Sequence, residues 1–286
     1  LLFGHDEEVS GSGAQAAVAL LKSRGVRPEM VLDEGFMIVD PFPLTGKPVG
    51  IIGVAEKGYT TIRLTSAASG GHSSMPPRDS AGVQLARAIV ALDENQMPAN
   101  LSKPPMSQMI SATAHDMPLM QKMAFANLWL FEGMVKSQFD ASGEANAMIR
   151  TTTAPTMMAG SVKENVLPQQ ATALVNFRIH PSDTPETVLE HVRDVISELE
   201  GVSAEIDQSG GIGSPASPVS PTDNRAYAVL QAVASEAGNG APVAPGLVLG
   251  ATDARWTTEI ADNVYRFAPS VVPVEDIGGV HGTNER

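Results

Sequence analysis

Carboxylates cluster at two points near the start of the chain. Glu7 and Glu8 stand side by side in the run GHDEEVSG, and Glu34 follows Glu8 by 26 residues in the run VLDEG. Carboxylates held close together repel each other, and divalent cations are their usual counter-ions in proteins. On a strand-to-helix turn adjacent side chains diverge, so one glutamate can bind a metal while the other faces a substrate. The simpler alternative is that these acids stabilise the N-terminus of a following helix through its dipole.

Two histidines stand in loops that would expose the imidazole ring. His72 lies in the small-residue run SGGHSSMPP, and His281 lies in the run GGVHGTNER, which also contains Glu285. A lone loop histidine is more often a surface residue than a ligand, and this alternative stays open for both. His191 lies in a predicted helix, where a solvated or packed role is expected. His72 and His281 are therefore the histidine candidates for chemistry.

Hydrophobic periodicity predicts the elements that position the acids. Residues 1–3 resemble the end of a buried strand, residues 10–24 have apolar side chains at helical spacing, and residues 30–32 form a second apolar run. A strand, a helix and a strand in this order imply parallel neighbours. Both acidic clusters would then follow strands at the carboxyl edge of one sheet, where open α/β folds bind ligands.

The middle of the chain has a different pattern. Apolar and polar residues alternate over residues 172–180, as in a strand with one exposed face. Thr184 and Pro185 mark the start of a helix. Residues 95–145 are rich in Met, Pro and Phe, and their pattern does not define elements. The further expected elements are strands at 62–65, 202–206, 247–249 and 264–267 and helices at 80–93 and 223–237.

These patterns together predict an α/β fold, in which a mainly parallel sheet with flanking helices is interrupted by an inserted α+β domain. The first part of the α/β domain covers residues 1–56, the insertion covers residues 57–214, and the second part covers residues 215–286. A Gly/Ser/Pro-rich run at residues 209–224 marks the end of the insertion.

The composition excludes several classes of function. The 286 residues carry a formal net charge of −13, which argues against a nucleic-acid partner. The absence of cysteine excludes disulfides and thiolate metal sites. No apolar run is long enough to span a membrane. Because the chain starts at Leu1 inside an apparent strand and stops directly after a motif, we expect it to be an internal fragment, and its localisation stays open.

Six motifs occur here in the order found in a family of zinc metallopeptidases. They are GHDEEVSGSGA, VLDEG, SGGHSSMPP, ENVLP with NFRIHP, GATDAR and HGTNE. The chain resembles this family, which contains aminoacylase, vacuolar carboxypeptidase S and secreted N-acyl-amino-acid hydrolases, over nearly its whole length. It looks most like the carboxypeptidase S and N-acyl-amino-acid hydrolase branch. The resemblance implies the zinc-peptidase type of α/β fold, with the insertion as a lid and dimerisation domain and a possible homodimer.

The resemblance also implies a reaction and assigns residues to it. The reaction is hydrolysis of an amide bond in a small-molecule substrate, an N-acyl amino acid or a short peptide, with release of an amino acid. Glu7 matches the general base, Glu8 a ligand of one Zn²⁺ and Glu34 a ligand of the other. His281 matches the metal ligand supplied late in the chain. His72 matches a histidine that reaches a neighbouring subunit's active site and polarises the scissile carbonyl.

Further positions match the family's substrate-binding residues: Asn165, Arg178, Thr252, Asp253 and Arg255. We expect Asn165 and Arg178 to lie on two strands of one sheet joined by a short turn. The loop with Arg255 would meet the carboxylate of the substrate, because arginine binds a carboxylate through two parallel hydrogen bonds. A structural salt bridge is the alternative role for Arg255.

Two zinc ions about 3.5–4 Å apart would lower the pKa of a bound water toward 7, and Glu7 would accept its proton. The family's His-x-Asp segment and bridging aspartate stand upstream of the paired glutamates, where this sequence has no room for them. We therefore expect residues 1–286 alone to bind zinc weakly and to be inactive, with the parent protein as the active enzyme. The alternatives are a truncated, catalytically silent homologue that acts as a dimerising or ligand-binding module, and a dipeptidase of the same family.

Overall fold

Five segments of the chain alternate between two structural units in the computed structural model, which describes residues 1, 2, 4, 6, 7, 11–209 and 213–279. Unit 1 comprises Leu1–Lys57, Asn100–Met148 and Ser217–Arg286, and unit 2 comprises Gly58–Ala99 and Ile149–Ala216. Residues 100–148 thus group with unit 1, whereas the predicted insertion of residues 57–214 included them. The functional domains proposed from the sequence stay predictions.

The elements are named here in chain order. They are α1 (Ser12–Ser23), β1 (Val31–Phe42), β2 (Lys47–Glu56), β3 (Gly58–Ala67), β4 (Gly71–His72), α2 (Ala81–Glu94), α3 (Met106–Thr113), α4 (Leu119–Ala126), α5 (Leu128–Asp140), α6 (Gly143–Ile149), β5 (Thr152–Ala159), β6 (Val166–Leu167), β7 (Gln170–Ile179), α7 (Pro185–Val195), β8 (Val202–Ile206), α8 (Arg225–Ala237), β9 (Val243–Val248), α9 (Ala254–Thr257) and β10 (Val264–Pro273). A 3-10 helix follows at Val274–Gly279. None of the helices in the described part of the chain has both the length and the apolar character that crossing a bilayer requires.

Unit 1 contains a four-stranded sheet in the order β1-β10-β2-β9. The pairs β1–β10 and β2–β9 are parallel, while β10–β2 and an additional β1–β2 pairing are antiparallel. Helix α8 joins the same buried core cluster as β2, with Leu230 and Ala234 on the helix and Ile52 and Val54 on the strand. This mixed, mostly parallel sheet with helices confirms the predicted fold class.

The strand predicted at residues 30–32 is longer than its sequence indicates. β1 runs on to Phe42, so Asp33 and Glu34 lie near its amino end, and the predicted position at a carboxyl end is wrong. Asp33 and Phe36 oppose consecutive residues of β10, which leaves Glu34 and Gly35 as an irregularity in the pairing. Gly35 permits it, because its φ of 150° belongs to the region that favours glycine.

The expected strand at residues 1–3 is not supported where the structure describes it. Leu1 and Leu2 are exposed and belong to no strand, and Phe3 lies outside the described residues. The helix predicted at residues 10–24 is confirmed as α1, whose buried face includes Ala14 and Val18.

Unit 2 is built on an antiparallel sheet in the order β5-β7-β3-β8. The alternation predicted over residues 172–180 is confirmed in β7, where Val175 and Phe177 are buried and the residues between them are more exposed. Helices α2 and α7 pack on the buried face, with Leu85 and Val188 in its core cluster. Thr184 caps α7 as predicted, by accepting a hydrogen bond from the backbone N–H of Thr187.

Residues 95–145, for which the sequence defined no elements, contain α3, α4 and α5 and the start of α6. Their hydrophobic pattern is unhelpful because large apolar side chains point outward as well as inward. Trp129 is 82% exposed and Met120 is 76% exposed, while Met109 and Val135 are buried. Helix α3 packs against β9 and so belongs with the sheet of unit 1.

Candidate active site

The acidic start of the chain lies against the turn that begins at Thr252. A Cβ atom at Gly4 would come within 2.7 Å of Oδ2 of Asp253, and one at Gly11 would collide with Oδ1 of the same carboxylate. A side chain at residue 4 or 11 would therefore force the Asp253 carboxylate to move. The sequence motifs GHDEEVSG and GATDAR, far apart in the chain, meet at this point of unit 1.

Asp6 stabilises the N-terminus of α1. Its carboxylate accepts hydrogen bonds from the backbone N–H of Gly13 at 3.1 Å and from the hydroxyl of Ser12. The helix-stabilising alternative considered for the acidic cluster thus holds for Asp6. It does not account for the neighbouring Glu7, which is partly exposed and has other interactions.

The turn at residues 252–255 is held by carboxylates on two strands. The backbone N–H of Ala254 donates to Oδ2 of Asp33 on β1 at 2.7 Å. The hydroxyl of Thr252 donates to Oε1 of Glu56, the last residue of β2, at 2.6 Å. The predicted substrate loop is therefore anchored on both sides, at Thr252 and at Ala254.

Several carboxylates lie near Asp253 in this turn. Burial, followed by the nearby carboxylates of Asp33, Asp6 and Glu56, raises the pKa of Asp253 above its ordinary value. A raised carboxyl pKa means that the charged form of Asp253 is disfavoured in this setting. In charge, the site therefore suits a dication.

The predicted metal ligands are only partly described. Glu34 is exposed on the irregular segment of β1, while Glu8 and His281 lie outside the described residues. Within the described ranges, no group of three His, Cys, Asp or Glu side chains is placed to hold a metal ion. The described residues thus fit a dication in charge, but they do not by themselves form its coordination shell, and no reaction step is derived through a metal.

The sequence analysis did not predict a buried ion pair that contacts the turn at Thr252. Arg266 Nε donates to Oε1 of Glu56 at 2.7 Å, and the two side chains are 0% and 1% exposed. Arg266 on β10 passes between Gly35 of β1 and Gly53 of β2, where a Cβ would lie 2.6 Å and 3.1 Å from its own Cβ. A signal was available in the sequence, because Glu56 ends the apolar run IIGVAE and Arg266 interrupts the run VYRF.

In unit 2 the structure brings His72 and Asn165 together. His72 in β4 pairs with Val166 in β6, and the backbone carbonyl of Asn165 accepts a hydrogen bond from Ser73 at 3.1 Å. Both His72 and Asn165 are exposed. His72 therefore lies in a two-residue strand, within the exposed region predicted from its small neighbours.

Arg178 does not share a sheet with Asn165, and the prediction that it would is wrong. Asn165 lies in the turn before β6, which belongs to the two-stranded sheet of β4 and β6, while Arg178 lies on β7 of the four-stranded sheet. The run between them contains Pro168 and Gln169, where the chain leaves one sheet and enters the other. Arg178 is exposed, opposite Tyr59 on β3.

Arg255, the remaining predicted residue, stacks on its neighbour. Its guanidinium carbon lies 5.5 Å from the ring centroid of Trp256, within the range of a cation–π contact. Arg255 also has a further interaction, so its charge is not simply offered to solvent.

The architecture is that of an α/β protein with a separate antiparallel α+β unit, and its acidic site suits a cation. Residues 54–202 match the family described as the peptidase dimerisation domain of M20 peptidases, which is just over half of the chain. The chain therefore belongs to the M20 peptidase family, and the resemblance found in the sequence motifs is confirmed.

Known relatives agree with this assignment. The chain is 40% identical over 288 residues to the N-fatty-acyl-amino acid synthase/hydrolase PM20D1 of Xenopus tropicalis, covering 99% of this chain and 55% of that protein. It is 34% identical over 288 residues to the probable carboxypeptidase S-like 2 of Dictyostelium discoideum, covering 99% of this chain and 54% of that protein. The chain thus spans about half the length of the curated relatives it matches.

A solved structure shares the fold. The M20 family metallo-carboxypeptidase Sso-CP2 from Sulfolobus solfataricus superimposes with a TM-score of 0.51 and 14% sequence identity, covering 92% of this chain and 60% of that one. At this level of identity the likeness concerns the fold alone.

Proposed function

We propose that the protein carrying this chain is a zinc-dependent amidohydrolase that releases an amino acid from an N-acyl amino acid or from the C-terminus of a short peptide. One observation carries the proposal: the turn with Thr252 and Asp253 lies directly against the acidic segment that contains Glu7. The relatives, an N-fatty-acyl-amino acid synthase/hydrolase and a carboxypeptidase S-like protein, support an acylated amino acid as substrate.

Glu8, Glu34 and His281 are the residues that we assign to the metal, following the family resemblance. Zinc, when bound, supplies a water of lowered pKa. The carboxylates of Asp33, Asp6 and Glu56 near Asp253 support a dication at this site.

Glu7 is assigned the role of general base. Its side chain is partly exposed, so water can reach it. A carboxylate in this position accepts the proton of the attacking water and later returns it to the leaving amine.

The turn at residues 252–255 is assigned to the carboxylate of the substrate. Arg255 supplies a planar cation that suits two parallel hydrogen bonds to a carboxylate. Its stacking on Trp256 restricts the orientation of the guanidinium, which favours a single binding geometry. Asn165 and Arg178 of unit 2 are proposed as further substrate contacts.

His72 is assigned the role of hydrogen-bond donor to the scissile carbonyl, in a partner subunit's active site as the resemblance implies. A homodimer through unit 2 is part of this proposal. The family match to a dimerisation domain supports it. So does strand β5, which stands at one edge of the sheet of unit 2 and is mostly exposed.

The test compares zinc content and turnover of N-acyl amino acids in the whole protein and in Glu7→Gln. We expect Glu7→Gln to keep its zinc and to lose turnover, while Glu190→Gln, a change at an exposed glutamate of α7, leaves both unchanged. Full turnover in Glu7→Gln would remove Glu7 from the reaction. Dimers without any turnover by the zinc-loaded parent would favour the silent dimerising homologue.

A further inference from the structure

The buried side chains of Glu56 and Arg266 form one hydrogen bond with each other, although a carboxylate and a guanidinium can form two. Arg266 contacts Glu56 through Nε alone, and its Nη1 donates to the backbone carbonyl of Val264 at 3.0 Å. Oε2 of Glu56 and Nη2 of Arg266 are buried and have no hydrogen-bond partner among the residues that the structure describes. A pair that served only stability would gain most from a two-bond, bidentate geometry.

A buried ion pair is in general a poor source of stability. Removing two charges from water costs several kcal/mol per ion, and apolar replacements of similar volume are often neutral or stabilising. The pair is therefore better explained by what else it holds. Within the described part of the chain, the further side chain that hydrogen-bonds to the Glu56 carboxylate is Thr252, whose hydroxyl donates to Oε1.

That contact fixes the first residue of the turn. Thr252 Oγ1 also lies 3.3 Å from the backbone N–H of Ala254, whose main acceptor is Asp33. The carbonyl of Thr252 accepts a hydrogen bond from the N–H of Arg255 at 3.3 Å. The hydrogen bonds of Thr252 thus fix both its side-chain rotamer and the path of the backbone to Arg255.

We infer that Glu56 and Arg266 are positioning residues for the substrate-carboxylate turn at residues 252–255. Arg266 holds the Glu56 carboxylate in one orientation, and Glu56 holds the Thr252 hydroxyl. Neither side chain touches the substrate, since both are fully buried. The inference rests on the proposed function, because it assigns the turn to the carboxylate of an N-acyl amino acid.

Thr252→Val tests this link with the smallest change, since it removes the hydroxyl and leaves the ion pair in place. In the whole protein we expect KM for an N-acyl amino acid to rise about tenfold, the factor that matches loss of one hydrogen bond to a charged group, with kcat changed less than about twofold. Thr252→Ser keeps the hydroxyl and should restore KM. Thr113→Val, which removes a buried hydroxyl bonded to the carbonyl of Met109 in α3, is the matched control with unchanged KM.

A second measurement does not depend on turnover. Hydrogen exchange of the backbone amides at residues 252–257 should speed up in Thr252→Val, while the amides of α3 keep their parental rates. Unchanged exchange at the turn would overturn the inference, even in a protein with no detectable activity. Faster exchange throughout unit 1 would also overturn it, because the pair would then act on general stability.

Glu56→Gln tests the same link by changing the acceptor of the Thr252 hydroxyl. The amide keeps an acceptor for Thr252 but leaves the buried charge of Arg266 without its counter-ion, so we expect a KM increase at least as large as that of Thr252→Val. If Glu56→Gln does not fold, Thr252→Val with its Thr252→Ser rescue still decides the matter. A parental protein without turnover refutes the proposed function, and the exchange data then judge the positioning role alone.

Discussion

The backbone N–H of Ser74 donates a hydrogen bond to Nδ1 of His72 at 3.2 Å, and the hydroxyl of Ser74 lies 2.9 Å from the same nitrogen. A backbone N–H can only donate, so Nδ1 acts as the acceptor and the neutral ring carries its proton on Nε2. This arrangement leaves an N–H donor on the far side of an exposed ring. His180 and Ser182 have the same geometry at a buried site.

The donor on His72 leads to the first prediction. His72→Ala should lower kcat about 100-fold, the typical effect of removing one donor to a developing oxyanion. Stability should change by less than about 0.5 kcal/mol, because the residue is exposed. Steady-state kinetics and thermal unfolding check both parts. His115→Ala, at another exposed histidine, is the control, and an equal kcat in the two variants would contradict the role of His72.

The cap of α7 gives a prediction about stability. Thr184 and Thr187 form a reciprocal pair in which each side chain accepts from the backbone N–H of the other residue, at 3.3 Å and 2.9 Å. Thr184→Ala should lower the free energy of unfolding of unit 2 by about 1 kcal/mol, because an N-terminal amide of the helix loses its partner. Urea unfolding measures it. Ser197→Ala, at an exposed residue that follows α7, serves as the surface comparison, and equal losses in the two variants would argue against the cap.

The carboxylate of Asp253 predicts a pH dependence. Its pKa is raised first by burial and then by Asp33, Asp6 and Glu56. The folded state therefore binds a proton that the unfolded state releases, and stability falls as pH rises from the unfolded pKa to the folded one. Asp253→Asn cannot ionise, so it should be more stable than the parent at pH 7, with the difference shrinking as pH falls through the raised pKa and lost by about pH 4, near the unfolded value.

Urea unfolding between pH 4 and 8 in the presence of a chelator checks this pH dependence. The chelator is needed because a bound dication would offset the repulsion that the variant removes. Asp262→Asn, at an exposed aspartate of unit 1, should show no such trend. A constant difference between Asp253→Asn and the parent at all pH values would show that the carboxylate repulsion is not the cause.

The elements that the sequence predicted well are those in which one physical rule acts alone. Buried and exposed residues alternate in β7 because one face of its sheet is buried. Thr184 and Pro185 mark the start of α7. In β1 two rules conflict. The polar run at Asp33 and Glu34 followed by Gly35 has the composition of a strand end, but the glycine φ of 150° lets the strand continue past an irregularity.

The sequence offered candidate residues for the site but did not reveal the side chains that support them. Glu7, His72 and Thr252 stand in recognisable motifs. The contact of Thr252 with Glu56, 196 residues away, depends on the register of β2 against β9, which local patterns do not determine. The separation of Asn165 from Arg178 into two sheets has the same origin, since strand pairing is a long-range property.

Gly11 and Gly46 offer a matched pair for the close approach at the site. Their φ values are 60° and 66°, so alanine should cost about 1 kcal/mol of strain at either position. At Gly46 nothing lies within 4 Å of the new Cβ, whereas at Gly11 the Cβ would collide with the carboxylate of Asp253. Gly11→Ala should therefore lose more unfolding free energy than Gly46→Ala and should also raise KM, because Asp253 and its turn must move.

A second change separates strain from collision in this pair. Asp253→Gly removes the carboxylate, so adding it to Gly11→Ala should bring the cost of the alanine down toward that seen at Gly46, with the 3.2 Å approach to Nε1 of Trp256 remaining. Urea unfolding of the parent, the two single variants and the double variant closes a double-mutant cycle in which the coupling between positions 11 and 253 is the measured quantity. A coupling near zero would mean that the acidic segment and the turn at residues 252–255 are not in contact in solution, because contact would make the two substitutions non-additive.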